Sequence, residues 1–315
     1  MSEAPTQADK PRRSGWLGLI FRVCATFSVL GVILYNVDWQ TTTATMAKLS
    51  VGAGLLAIAL IVFMVSNGAL RWWLVCRSID VPLRPFEALR YFYITGFANQ
   101  AMPGTFGGDG LRIFLMHRAG HDAGAVTSSI VVDRACALVG LGLLVVVTQP
   151  FVPSIVGTSG SFAVFALLLL ALVGGIVVFA FFGHHLLEST YKLVRAVGGL
   201  ADAMRRLLMA PRYGLPAVGC AMLTFIVASA STGVLGLSMG LQAEFWHYLV
   251  LCPPVFLLAV LPVSVAGWGV REAGMVVALG YAGVPAEEAL AVSVAWGIVN
   301  LIGVLPGGGL WLASR

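Results

Sequence analysis

Charge is scarce in this chain. Asp, Glu, Lys and Arg make up only 10% of its 315 residues, against roughly 25% in an ordinary soluble domain. That scarcity excludes a water-soluble globular protein. Cysteine is too sparse and too scattered for a disulfide or zinc framework: Cys24, Cys76, Cys136, Cys220 and Cys252 all sit in apolar stretches with no paired spacing. Histidine is equally thin, and His117, His121, His184, His185 and His247 lack metal-ligand spacing. No metal, no cofactor and no catalytic residue are therefore expected. Gly107-Gly108-Asp109-Gly110 lacks the Lys-Ser/Thr ending of a phosphate-binding loop, so no nucleotide is expected either. The net charge is +5, but the basic residues are spread through short loops, and no nucleic-acid partner is implied.

What is abundant is apolar sequence. Hydrophobic residues are 59% of the chain and mean hydropathy is +0.92. About 20 apolar residues cross a bilayer, and the chain offers 16–36, 51–76, 126–148, 161–183, 214–238 and 286–305. The first follows Lys10, Arg12 and Arg13 and has no clear cleavage site, so it reads as an uncleaved span. Two further apolar segments, 86–118 and 244–280, break at Pro and Gly into pieces too short for full crossings. They read as re-entrant hairpins, since irregular backbone at membrane depth must be buried by protein or reached by water. The expected fold is an all-α polytopic membrane protein. It has about six full spans plus two re-entrant broken-helix hairpins in an inverted repeat, all within a single integral membrane domain, 1–315.

Basic residues set the orientation. With the N-terminus cytoplasmic, the inner loops hold Arg77, Arg84, Arg118, Lys192, Arg195, Arg205, Arg206 and Arg212, and the outer loops hold only Lys48. Both termini are then cytoplasmic, and hairpins 86–118 and 244–280 open to opposite sides. The expected location is a bacterial inner membrane. Residues 185–209 place Leu186, Leu193, Val197, Leu200, Met204 and Leu207 on one helical face, which reads as an interfacial cytoplasmic helix.

The two breaks are copies of one motif. Pro103, Thr105, Gly108, Gly110 and Arg112 match Pro262, Ser264, Gly267, Gly269 and Arg271 without gaps, and the offset from Pro103 to Pro262 is 159 residues. Flanking spans recur at the same offset, giving repeat A over about 51–148 and repeat B over about 214–305. A Pro/Gly break in corresponding places of two halves points to a carrier's binding site.

Charges cluster at these breaks: Asp109, Arg112, Asp133, Arg134, Arg271 and Glu272. A lone charge at bilayer centre costs roughly 2.5–3.5 kcal/mol by insertion scales, so they must pair or face water. Neighbours such as Asp133 and Arg134, or Arg271 and Glu272, point about 100° apart on a helix and need different partners. Cross-pairing between the halves is expected, Asp133 with Arg271 and Arg134 with Asp109 or Glu272. Helices starting near Gly107 and Gly267 would turn N-termini toward a phosphate, with Arg112 and Arg271 as forked ligands. A static ion-pair lock is the alternative role of the charges. Tight turns and close helix packing are the alternative role of Gly108, Gly110, Gly267 and Gly269.

The run Asn99-Gln100-Ala101-Met102-Pro103, with Gly107-Gly108-Asp109 and Arg112, then Asp133-Arg134, then Pro262, Ser264, Gly267, Gly269, Arg271 and Glu272, resembles the lysylphosphatidylglycerol synthase/flippase transmembrane family. The resemblance covers about residues 16–310. It implies a domain that moves lipid between leaflets, an aminoacyl-phospholipid or a polyprenyl-phosphate glycolipid. Bifunctional members carry a soluble aminoacyl-transferase domain. The expectation for this chain, which runs to Arg315 just past the last span, is a stand-alone transmembrane domain. Membrane lipids are the expected partners; a lipid-modifying transferase and a homo-oligomer stay open. Two function classes follow: a lipid flippase or scramblase, and a non-transporting membrane enzyme or accessory subunit that binds a lipid-linked substrate for a partner transferase.

Overall fold

The computed structural model describes residues 38–101, 107–152, 155, 161–260 and 268–313. The expected span 16–36 and the motif residues Pro103, Thr105, Pro262, Ser264 and Gly267 lie outside the described residues. Within them the fold is helical throughout. In chain order the helices are α1 (Trp39–Ala47), α2 (Val51–Ser78), α3 (Pro85–Ala101), α4 (Gly107–Arg118), α5 (Ala123–Thr148), α6 (Ser161–Phe182), α7 (Lys192–Met209), α8 (Pro211–Ser238), α9 (Phe245–Val260), α10 (Val270–Gly280) and α11 (Ala286–Leu312).

Five stretches are long and apolar enough to cross a membrane: Val51–Ser78, Ala123–Phe151, Leu167–Glu188, Pro211–Ser238 and Ala286–Leu312. They match the five expected spans after the first. Helix starts follow local chemistry. Ser50 and Asp122 cap α2 and α5, their side chains accepting from Ala53 N and Ala125 N. Asp38 does the same for α1, and its carboxyl is held below the usual range by the Thr41 hydroxyl and then by Gln40 N–H.

The helix expected over 185–209 runs only over Lys192–Met209. Residues Gly183–Glu188 form a 3-10 turn, and Ser189 is extended, so Leu186 lies outside α7. Met204 and Leu207 are buried with Val132, Cys136 and Ala217, whereas Leu193 and Val197 are exposed.

Helices α2 and α8 form the most extensive packed pair. They run antiparallel: Ser50, at the start of α2, meets Ser238, at the end of α8, with hydroxyls 3.0 Å apart. Farther along, Asn67 Nδ2 donates to Cys220 O at 2.6 Å and to Thr224 Oγ1 at 2.9 Å. The other contacts come in matched sets. Helix α3 packs on α2 and α4 as α9 packs on α8 and α10; α3 rests on α11 as α9 rests on α5. Each broken segment thus consists of two short helices, the first of which leans on the opposite half.

The α3–α11 seat needs small residues. A Cβ at Gly307 would meet the Tyr93 carbonyl and Ile94 N, both backbone. Replacing Gly307 by Ala is expected to destabilise the protein by about 1–3 kcal/mol, because backbone cannot yield as a side-chain tip can. Gly219→Ala, in open space on α8, is expected to be neutral or stabilising by up to about 1 kcal/mol. Thermal unfolding of both variants in detergent checks this; equal midpoints would remove Gly307 as a packing requirement.

Candidate functional site

The first site is built on α2, α3, α4 and α5. Helix α4 starts at Gly107, as expected, and its second residue is a required glycine. A Cβ on Gly108 would strike the Thr95 carbonyl and the Asn99 side chain, while Gly108 N–H donates to Asn99 Oδ1 at 3.0 Å. This seat presses the start of α4 onto α3 and aims Asp109 and Arg112 at α5 and α2. Asp109 lies in the first turn of α4, where the helix dipole favours negative charge. Gly110 faces open space and makes no such contact.

Three ionic arrangements follow. Arg71 on α2 forks onto Asp133 on α5, Nε to Oδ1 at 2.7 Å and Nη2 to Oδ2 at 3.1 Å, both residues buried. Arg134 donates to Asp109 Oδ2 from Nη2 at 2.8 Å and Nε at 3.2 Å. Its side chain is 41% exposed while that of Asp109 is 8% exposed. Arg112, only 4% exposed, has no carboxylate within salt-bridge reach among the described residues. Its Nη2 and Nε donate to Thr95 Oγ1 at 2.8 and 3.3 Å. Its guanidinium lies 4.5 Å from the centre of the Trp72 ring and 4.7 Å from that of Phe92, a cation–π clasp worth up to about 2 kcal/mol when desolvated. These charges line a cavity of about 170 Å³ with Phe92, Gly96 and Asn99. Asp109 Oδ1 is buried there without a hydrogen-bond partner.

The second site lies on α10 and α11. Helix α10 starts at Val270, later than expected, because Gly269 has φ +86°. That left-handed backbone favours glycine and places Gly269 ahead of the helix. Gly269 N–H donates to Glu272 Oε2 at 2.6 Å, so Glu272 caps its own helix. Glu272 Oε1 accepts from Arg271 Nε at 3.0 Å and from Arg271 Nη2, and Ser293 Oγ lies 3.4 Å away. Glu272 is 0% exposed. Arg271 is held between Trp268 and Trp296, at 4.7 and 5.1 Å from the ring centres. Gly297 leaves room for this: a Cβ there would come within 2.7 Å of Arg271 Nη2.

The expected cross-pairing of the halves is therefore corrected. Asp133 pairs with Arg71 and not with Arg271, whereas Arg134 takes Asp109, one of its two expected partners, which lies in its own half. Arg271 pairs with its own neighbour Glu272, although successive helical side chains diverge. Glu272 bends back over the helix start toward Gly269, and the long arginine follows it. Each ion pair closes within its own half. Thr95, Phe92, Ser293 and Trp296 carried no signal in sequence. Arg71 did: it is a charge inside an apolar span.

Asp133→Asn leaves Arg71 buried without its anion, and a loss of about 3–5 kcal/mol is expected. Combining Arg71→Leu with Asp133→Leu is expected to cost less than either single change, since no uncompensated charge remains. Denaturation of the three variants in detergent checks this, and additive losses would mean that the pair is not coupled.

No curated relative matches the chain. The family model described as the lysylphosphatidylglycerol synthase TM region matches residues 16–308. Nearly the whole chain, with its long apolar helices, is covered by that match, and the protein belongs to this family of multi-pass, membrane-embedded, lipid-related domains.

Proposed function

We propose that this protein moves a phosphate-bearing lipid between the leaflets of an inner membrane, as a flippase or scramblase with both termini cytoplasmic. One observation carries the reading. Arg112 and Arg271, which correspond in the repeated motif, each sit near the start of a short helix and between two aromatic rings. One of them faces a polar cavity; the other is closed by Glu272. Two matched cation centres, one open and one shut, suit a carrier whose halves alternate in exposing a headgroup site. The antiparallel α2–α8 pair and the matched packing of the halves support an inverted repeat with broken helices at its interface. Asn99, Gly108, Asp109, Arg112, Asp133 and Arg134 form one headgroup gate in this reading, and Gly269, Arg271 and Glu272 the other.

The guanidinium fork matches phosphate oxygens. The aromatic clasp keeps the Arg112 fork oriented with no carboxylate in salt-bridge reach among the described residues, which leaves it free for an anion.

Reconstitution into vesicles with a fluorescent anionic phospholipid tests the proposal. With wild-type protein, a membrane-impermeant reductant is expected to bleach more than the outer-leaflet half of the label. Arg112→Ala combined with Arg271→Ala is expected to slow that phase at least tenfold. Wild-type vesicles that bleach like protein-free ones would sink the transport reading and favour an accessory subunit that holds lipid without moving it.

A further inference from the structure

Behind the polar cavity lies an apolar one of about 230 Å³, and helix α5 separates the two. Asp133, Arg134 and Ala137 border the polar cavity, whereas Val132, Cys136 and Val139 border the apolar one. At about 100° per residue these sets occupy opposite sides of one helix. The other walls are α6 at Val173, α7 at Leu208 and α8 at Val218. No charged side chain and no hydroxyl lines the space.

The gap has its cause in the packing. Helix α6 rests on α5 and α7 but makes no extensive contact with α8. Only 6% of the most apolar part of 167–188 is buried in the protein, against 33% or more in the other four spans. Protein interiors are close-packed, and an apolar void stays dry. Seven or eight groups of roughly 30 Å³ fill this one, which is the middle of a fatty-acyl chain. The lining along α8 runs from Pro211 to Val218, about 10 Å at 1.5 Å per residue. The space therefore starts at the end of a span and reaches toward its middle, the course of a lipid tail entering from one leaflet.

A tail alone gives no preference, because bulk lipid tails are as apolar as the pocket. The headgroup end supplies one. Arg212 follows the lining residue Pro211 and is exposed. Among the described residues no carboxylate lies within salt-bridge reach of it. Its guanidinium lies over the Tyr213 ring, 4.8 Å from the centre. Its two neighbours on α7, Arg205 and Arg206, pair with Asp202. Arg212 is thus the cation at this corner left for a phosphate, which its planar fork matches.

We propose that this pocket holds one tail of a resident anionic phospholipid whose phosphate rests on Arg212. The tail fills the space between α6 and α8 and backs α5 on the side away from the polar cavity. This lipid is a structural ligand, distinct from any lipid that the protein moves.

The test is phospholipid retention by the purified full chain, delipidated in detergent and offered phosphatidylglycerol and phosphatidylcholine in equal amount. Native mass spectrometry reads the bound lipid, and thermal unfolding reads its effect. Wild type is expected to hold one phospholipid per chain in this pocket. Phosphatidylglycerol is preferred about fivefold, the share of one basic residue at a membrane surface, and the midpoint rises when it binds. Val173→Phe and Val218→Phe fill the pocket from different walls, so that one remains if the other fails to fold. Each is expected to abolish that retention and the lipid-dependent rise. Arg212→Gln is expected to keep the lipid and bring the ratio near one. Arg112→Ala combined with Arg271→Ala is expected to leave this lipid in place; its loss there puts it in the headgroup gates and overturns the inference. Retention that survives the filled variants also overturns it, as does a phosphatidylglycerol preference indifferent to Arg212→Gln. A dimer that dissociates when the pocket is filled assigns the space to a second copy of the chain and overturns it as well. None of these outcomes bears on lipid movement in vesicles, which stands or falls by its own assay.

Discussion

An ionised group removed from water must find its counter-charge among its immediate neighbours, and much of the first half of this protein is arranged by that requirement. Arg71–Asp133 ties α2 to α5 by a two-point fork. Arg134–Asp109 ties α4 to α5. Together they fix three helices around one small space, into which a third guanidinium is pushed with no carboxylate partner among the described residues. Arg112 is held there by shape: Trp72 from α2 and Phe92 from α3 cover its faces, and Thr95 takes its edge. The neutral lock and the unmatched cation come from the same packing, so the structural and functional roles of these charges do not compete.

The second half answers the same requirement over a much shorter stretch of chain. Glu272 sits one residue from Arg271, and the start of α10 supplies the remaining donor through Gly269 N–H. The left-handed Gly269 turns the chain so that this amide points at the carboxylate. Arg112 and Arg271 keep their places in the motif and their aromatic clasps, yet differ in whether a carboxylate lies within reach. The position after Arg112 is Ile113, and the position after Arg271 is Glu272. That one difference separates an open cation from a closed one.

Much of this was legible in the sequence. The spans after the first, the two short-helix pairs and the start of α4 at Gly107 follow from apolar run length and from Pro/Gly punctuation, which are local properties. The repeated motif marked Arg112 and Arg271 as corresponding residues. Partner choice was not legible, because it depends on which helix faces lie together. Asp133 and Arg71 are 62 residues apart in the chain, and only the packing of α2 on α5 brings them into contact. The Arg271–Glu272 pair was missed for a different reason. Helical projection gives the direction in which a side chain leaves the backbone, but long side chains at a helix start can turn back over it. The end of α7 behaves as its apolar stripe suggests at Met204 and Leu207, but the stripe was extended too far, across the break at Ser189.

Helix α11 connects these observations. Near its start it carries Ser293, Trp296 and Gly297, which enclose Arg271 and Glu272. Farther along, Val304, Gly307 and Gly308 form the seat for α3 against Gly96, Tyr93 and Phe97. Alternate positions of α3 then face the other way: Phe92 and Thr95 hold Arg112, and Gly96 also borders the cavity. Backbone-to-backbone contact at Gly307 leaves this seat little slack, and close-packed interiors transmit displacement where loose ones absorb it. The wall of the open cavity and the wall of the closed ion pair are therefore braced by one helix. The small residues along α11 are as much a part of both sites as the charges, because they set how near α3 can approach.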